Sequence, residues 1–195
     1  MSEERTQEDV NDEVDGVGVT RREFGKLSAA VGLGMMWPPV AQAQEATVKP
    51  DASEIEALVG HEFPGGTYTV AHWENFLLTE CTGAELLPDG MVHPVVMFHM
   101  PIIGANTSIA EMFALGQAES DFSIGIESYD WEFFQPILEE VPYAISARVT
   151  EADRRGGGTN VYDRIQFQFD VATSQGERVA RSTITWIYGR TADAS

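Results

Sequence analysis

The segment from His93 to Ile109 (HPVVMFHMPIIGANTSI) is apolar on nearly every side, with Val95, Val96, Met97, Phe98, Met100, Ile102 and Ile103 in close succession. A helix without a polar face has to be surrounded by the rest of its domain, so this stretch is predicted to be a central helix. Pro94 suits a first helical turn, while Pro101 is predicted to kink the helix or split it. The covering must come from the C-terminal half of the chain, because after Gln117 the pattern turns strand-like almost to the end. Ile124 to Phe134 is aromatic-rich and stops at Pro136, Tyr143 to Val149 reads as a second strand, and Arg178 to Tyr188 as the last. Between them Val161 to Val171 alternates, with Ile165, Phe167, Phe169 and Val171 on one face and Asp163 breaking it. That is a half-buried strand with one wet face. Ser174-Gln175-Gly176 and Gly156-Gly157-Gly158 are hairpin signals. The glycine triplet lacks the following helix and Lys of a phosphate cradle.

Upstream, residues 44–59 read as a linker passing into a weak helix over Ser53 to Val59, with Ser53 as its N-cap. Gly60 to Gly66 is turn-rich and Tyr68 to Val70 is a short strand. Trp73, Phe76, Leu77 and Glu80/Cys81 fall at helical spacing, and Gly83 ends that run as a C-cap does. Ala84 to Gly90 is loop. Strand, helix, buried helix, then four antiparallel strands predict an α+β fold, a single domain with a curved antiparallel sheet wrapped around a central apolar helix.

The 195 residues include 12 basic and 31 acidic side chains, for a formal charge of −19. Phosphate binding needs clustered Lys and Arg, so nucleic acid is not a predicted partner. A single cysteine excludes a disulfide framework, a Cys-rich zinc site and an iron–sulfur cluster. Residues 1–19, with seven acids against one Arg, read as a disordered acidic leader. In residues 20–43, Thr20-Arg21-Arg22-Glu23-Phe24-Gly25-Lys26 and the Gly/Ala-rich stretch after it resemble a twin-arginine export signal. Ala41-Gln42-Ala43 supplies the small-x-small cleavage pattern. This predicts a periplasmic protein; the alternatives are an amphipathic N-terminal helix and a cytoplasmic location. Pro38 and Pro39 break the apolar run, which is too short for a permanent membrane span.

From about residue 60 to 190 the order of these pieces resembles the hot-dog fold, in particular the MaoC-like dehydratase and R-specific enoyl-CoA hydratase family; residues 191–195 are a tail. Gly60-His61-Glu62-Phe63-Pro64 with Tyr68-Thr69-Val70 is similar to the family's opening, and WENFLLTECTG (73–83) to its first helix. MVHPVVMF (91–98) resembles the start of the central helix, IESYDWEFFQP (126–136) the strand that ends in Pro, and GERVARSTITWIYGR (176–190) the closing strand. The resemblance implies addition of water across an α,β-unsaturated thioester, or the reverse elimination. That chemistry needs a carboxylate and an imidazole to activate one water and an N–H to polarise the carbonyl. The R-specific hydratases draw these groups from a loop of the form Gly-Asp-x-Asn-Pro-x-His. The corresponding place here reads Gly83-Ala84-Glu85-Leu86-Leu87-Pro88, with Ala84 in the Asp place, Leu86 in the Asn place and no His at the right distance. The chain therefore resembles a motif-less half, a homodimer or heterodimer subunit that completes an acyl tunnel with another hot-dog subunit. An acyl thioester is then the substrate, and no cofactor is implied. The rival expectation is an exported binding or assembly protein without hydratase chemistry.

Glu85, Asp89 and His93 are the local groups that could replace the missing catalytic set. Gly83, Pro94 and Phe98 are candidate substrate contacts, with Arg154, Arg155 and Arg164 for a CoA phosphate. Each has a plainer expectation: His93 as a cap or core histidine, the arginines in ion pairs on an acidic surface. His99 reads as a satisfied core histidine, His61 and His72 as isolated, and Cys81 as a small buried residue. Asp130, Glu132, Glu139 and Glu140 read as solvated edges. Because His93 and His99 are six apart rather than three or four, no metal site is expected.

Overall fold

The computed structural model describes residues 49–157 and 160–191. The acidic leader, the twin-arginine-like segment, part of the linker, Gly158 of the glycine triplet and most of the tail lie outside them. Five strands, β1 (Gly66–Thr69), β2 (Ile124–Phe133), β3 (Pro142–Gly157), β4 (Asn160–Ala172) and β5 (Arg178–Arg190), form one antiparallel sheet in the order β1-β3-β4-β5-β2. On β4 the alternation sorts side chains as its pattern demands. Ile165, Phe167, Phe169 and Val171 are fully buried, and Arg164, Gln166, Gln168 and Asp170 lie half-buried on the other face. The outer face stays wet through polar pairs such as Thr150 with Gln166 and Arg181 with Asp170.

Helix α1 (Ala52–Glu56) starts just ahead of the predicted position and is capped by Asp51, whose N–H donates to the Glu54 carboxylate at 2.9 Å. Helix α2 (His72–Thr82) ends at Gly83, where a left-handed backbone (φ 70°) suits glycine. The central segment is not one rod. It is a 3-10 turn over Pro94–Phe98, then α3 (Met100–Gly104), then α4 (Ile109–Leu115). Pro101 stands in the first turn of α3, where its missing N–H costs nothing, and the break falls at His99.

These pieces cross the inner face of the sheet. Phe98 meets Tyr129 and Trp131 of β2, with ring centroids 5.0 and 4.7 Å apart. Gly104 approaches β3 so closely that a Cβ there would lie 2.2 Å from Ile145. Phe113 meets Trp186 at 5.0 Å, and Gly116 backs onto Tyr188. Val96, Met97, Met100 and Ile102 are buried, yet Phe98 and Ile103 remain 52% and 53% exposed. The expectation of a helix enclosed on every side is corrected here: within one chain, the sheet covers one flank and leaves another open.

Asp163, the acid that interrupts the alternation of β4, is fully buried. It accepts Arg190 Nε and Arg154 Nε, each at 2.7 Å. Arg190 donates through Nη1 to the carbonyl of Gln117 and through Nη2 to that of Gly116, and Arg154 donates through Nη2 to the carbonyl of Pro50. The network ties the ends of β3, β4 and β5 to the end of α4. Asp163→Ala strands the fully buried Arg190 guanidinium, and is expected to cost about 3–5 kcal/mol of unfolding free energy. Urea denaturation measures it; a loss under about 1 kcal/mol rules out this role for the network.

Candidate functional site

The loop after α2 leads directly to the head of the central segment. Glu85 and Asp89 are exposed on it, Asp89 with a left-handed backbone (φ 56°) in the turn Pro88–Gly90. His93 is half-buried and its polar groups are engaged. Its N–H donates to Asn75 Oδ1 at 2.9 Å, and its ring Nδ1 accepts from Val95 N–H at 3.2 Å as an N-cap. A neutral ring in that role carries its proton on Nε2. His93 can therefore donate to a carbonyl or hydroxyl oxygen, but it has no free lone pair with which to act as general base. No hydrogen bond joins Glu85, Asp89 and His93 to one another among the described residues.

What the fold gathers beside His93 is a different set. Asn75, 1% exposed, also donates to the carbonyl of Met91 at 3.2 Å and to Glu139 Oε1 at 2.6 Å. Glu139 Oε2 lies 2.7 Å from His72 Nδ1, and Glu140 Oε1 accepts from the His72 N–H at 2.9 Å. The Asn75 and His72 hydrogen bonds hold the Glu139 carboxyl below its usual range. Glu139 and His72 are thus corrected from solvated and isolated residues to partners in a network. On the other side of α2, Glu74 Oε1 accepts the Tyr68 hydroxyl at 2.8 Å and lies 2.6 Å from His99 Nε2. Burial and the Glu74 hydrogen bond push the Tyr68 hydroxyl up to about 12, so it stays a donor. These contacts position α2 against β1, the central segment and the β2–β3 connection. The sequence carries no spacing signal for them, since Glu139 is 64 residues from Asn75.

The candidate phosphate contacts are all engaged with carboxylates. Arg154 pairs with Asp163, Arg155 with Asp153, and Arg164 with Glu127 and Glu151. Cys81 is exposed rather than buried. Among the described residues no three metal-ligating side chains gather, and no helix is long and apolar enough to cross a membrane.

Of the predicted contacts, Pro94 lines an open apolar groove of about 360 Å³ together with Leu87, Met91, Phe133, Phe134 and Ile137. Gly83 terminates α2, and Phe98 belongs to the ring trio with Tyr129 and Trp131. The groove adjoins the end of β2, an edge strand paired on one side only, by β5. Ile126, Phe133 and Phe134 are exposed along it.

The depressed Glu139 carboxyl has a pH signature. A group whose acidity is raised by folding adds stability above its unfolded pKa, and that share is lost as pH falls through its folded pKa. Glu139→Gln is expected to lower stability near neutrality and to flatten the acid limb of the stability–pH curve. Chemical denaturation from pH 7 to pH 3 measures this (~4 pH units, spanning the carboxylate range); parallel wild-type and variant curves exclude it.

No protein-family model and no curated protein matches the sequence. Solved structures do match the fold. A monoamine oxidase regulatory protein from Archaeoglobus fulgidus aligns with a TM-score of 0.51 and 14% identity, over 68% of this chain and 91% of that one. The HadBC 3R-hydroxyacyl-ACP dehydratase complex of Mycobacterium tuberculosis gives 0.51 and 14%, over 67% and 96%. The ChsH1–ChsH2 complex of the same organism gives 0.55 and 12%, over 77% and 93%. These are hot-dog proteins, and at such identities the likeness speaks for the fold. With its five-stranded antiparallel sheet and the broken helix across it, the described chain is an α+β protein of the hot-dog fold.

Proposed function

We propose that this chain is the non-catalytic half of a MaoC-like hydratase or dehydratase, acting on an acyl thioester together with a motif-bearing hot-dog subunit. The observation that carries the reading is the head of the central segment. Its histidine spends Nδ1 on the Val95 N–H, and the nearby acids Glu85 and Asp89 are exposed. Water activation needs a base held beside the thioester, and this chain offers a donor in its place. The free β2 edge with Ile126, Phe133 and Phe134, and the open flank of the central segment at Phe98, favour a partner of the same fold. Two of the structures that share the fold, HadBC and ChsH1–ChsH2, are complexes.

The leader favours a second reading. Arg21-Arg22, the apolar stretch after them and Ala41-Gln42-Ala43 suit export. An exported chain leaves the compartment of CoA thioesters, and its role becomes binding or assembly. Intact-mass measurement of the protein from its native host decides between them. A start near Gln44 supports export, and an intact leader supports the thioester reading.

The pure chain is expected to leave crotonyl-CoA unhydrated and to restore hydration when mixed with a hot-dog subunit that carries the Asp/His motif. Hydration by the pure chain, abolished in both Glu85→Gln and His93→Ala, would overturn the partner role.

A further inference from the structure

The carboxylates of the sheet divide by position. Glu127, Glu151, Asp153, Asp163 and Asp170 each hold an arginine of the same chain. Asp130 and Glu132, the remaining acids on the described strands, are exposed and hold no cation among the described residues. Both stand on β2, the edge strand that only β5 pairs. Arg181 lies opposite Glu132 across that pair, but its Nε donates to Asp170 at 2.7 Å. Tyr129 and Trp131, which alternate with the two acids, meet Phe98 on the inner face of the sheet. The period of two therefore sets Asp130 and Glu132 together on the outer face. The same edge exposes Ile126, Phe133 and Phe134. An edge that serves only to repel other strands gains nothing from keeping such side chains in water.

We propose that the β2 edge receives a different hot-dog subunit, one whose own edge strand carries Lys or Arg on its outer face, and that Asp130 and Glu132 turn away a second copy of this chain. The proposal rests on the reading that the chain works beside another subunit of its fold, and adds which kind the edge accepts. When two antiparallel edge strands join their sheets, the outer face of one continues as the outer face of the other. A second copy's β2, paired middle to middle, brings its own Asp130 and Glu132 beside these two. Four carboxylates then stand on adjacent strands with their Cβ atoms about 5–8 Å apart, and neither strand carries a cation. Like charges so placed destabilise strand pairing. A basic edge strand in the same position turns each repulsion into a cross-strand ion pair. Asp130 and Glu132 give up no ion pair within the described chain to form it. The apolar side chains supply adhesion that any partner of the fold can use, and the two acids supply the choice among partners.

A charge swap within the chain supplies a partner of known composition. Asp130→Lys/Glu132→Lys gives one copy a basic β2 edge; edge strands tolerate Lys, and circular dichroism verifies the fold. Sedimentation equilibrium of the full chain at low salt compares wild type, the double variant and their equimolar mixture. The mixture is expected to associate at least about tenfold more tightly than either component, and to lose that advantage in ~1 M salt. Glu56→Lys/Glu80→Lys makes the same change in net charge at exposed acids away from β2, and its mixture with wild type is expected to gain nothing. A mixture no tighter than its components overturns the proposal and leaves Asp130 and Glu132 as plain edge protection. Equal tightening with the Glu56/Glu80 variant also overturns it, because net charge is then the cause. Wild type that self-associates as tightly as the mixture, and loses that association in Ile126→Lys, makes a second copy the occupant and overturns it as well. None of these readouts involves hydration. A tight mixture, with no hydration restored by a motif-bearing subunit, supports the edge preference and overturns the thioester reading alone.

Discussion

An apolar segment with no polar side can exist in water only where other parts of a protein exclude solvent from it, and the rest of this structure depends on that requirement. The strands are long because they have to span the segment, and their inner faces carry its covering of Phe167, Phe169, Ile184 and Trp186. A five-stranded sheet reaches around part of the circumference. The remainder is marked by the exposed Phe98, beside β2, and by the exposed Ile103 on α3. The same demand that organises the domain therefore leaves part of the segment uncovered within the described chain, and β2 stands at the edge of the sheet.

Polar chemistry does a separate task in this molecule. The Asn75 side chain holds three groups at once, and Asp163 holds two arginines. Each joins segments far apart in sequence, and each is buried deeply enough that an unpaired partner would be expensive. The first sets where His93 and the loop before it lie. The second closes the strand ends against α4. Both are geometric devices.

The strands and their order were legible because burial on one face imposes a period of two, which Val161 to Val171 displays and β4 obeys. The C-cap at Gly83 was legible for a local reason, the left-handed backbone. The division of the central segment was only half legible. Pro101 announces a discontinuity, but its position in the first turn of α3 is decided by how the pieces pack on the sheet. The site was the least legible part. Glu139 and His72 look like surface residues until the chain brings them beside Asn75, and contacts that distant leave no periodicity in the sequence. His93 could be read as a cap or as an acid–base group, and only the approach of Val95 N–H separates the two.

Gly104 has no side chain, and the backbone of α3 rests almost on Ile145 and Tyr68. At this point the main chain of α3 itself packs on the side chains of Ile145 and Tyr68, with no side chain between. Adding even a methyl group there would bring it to 2.2 Å from the end of the Ile145 side chain, which would have to move aside. The spacing between α3 and β3 is thus fixed where glycine stands, one residue after the exposed Ile103.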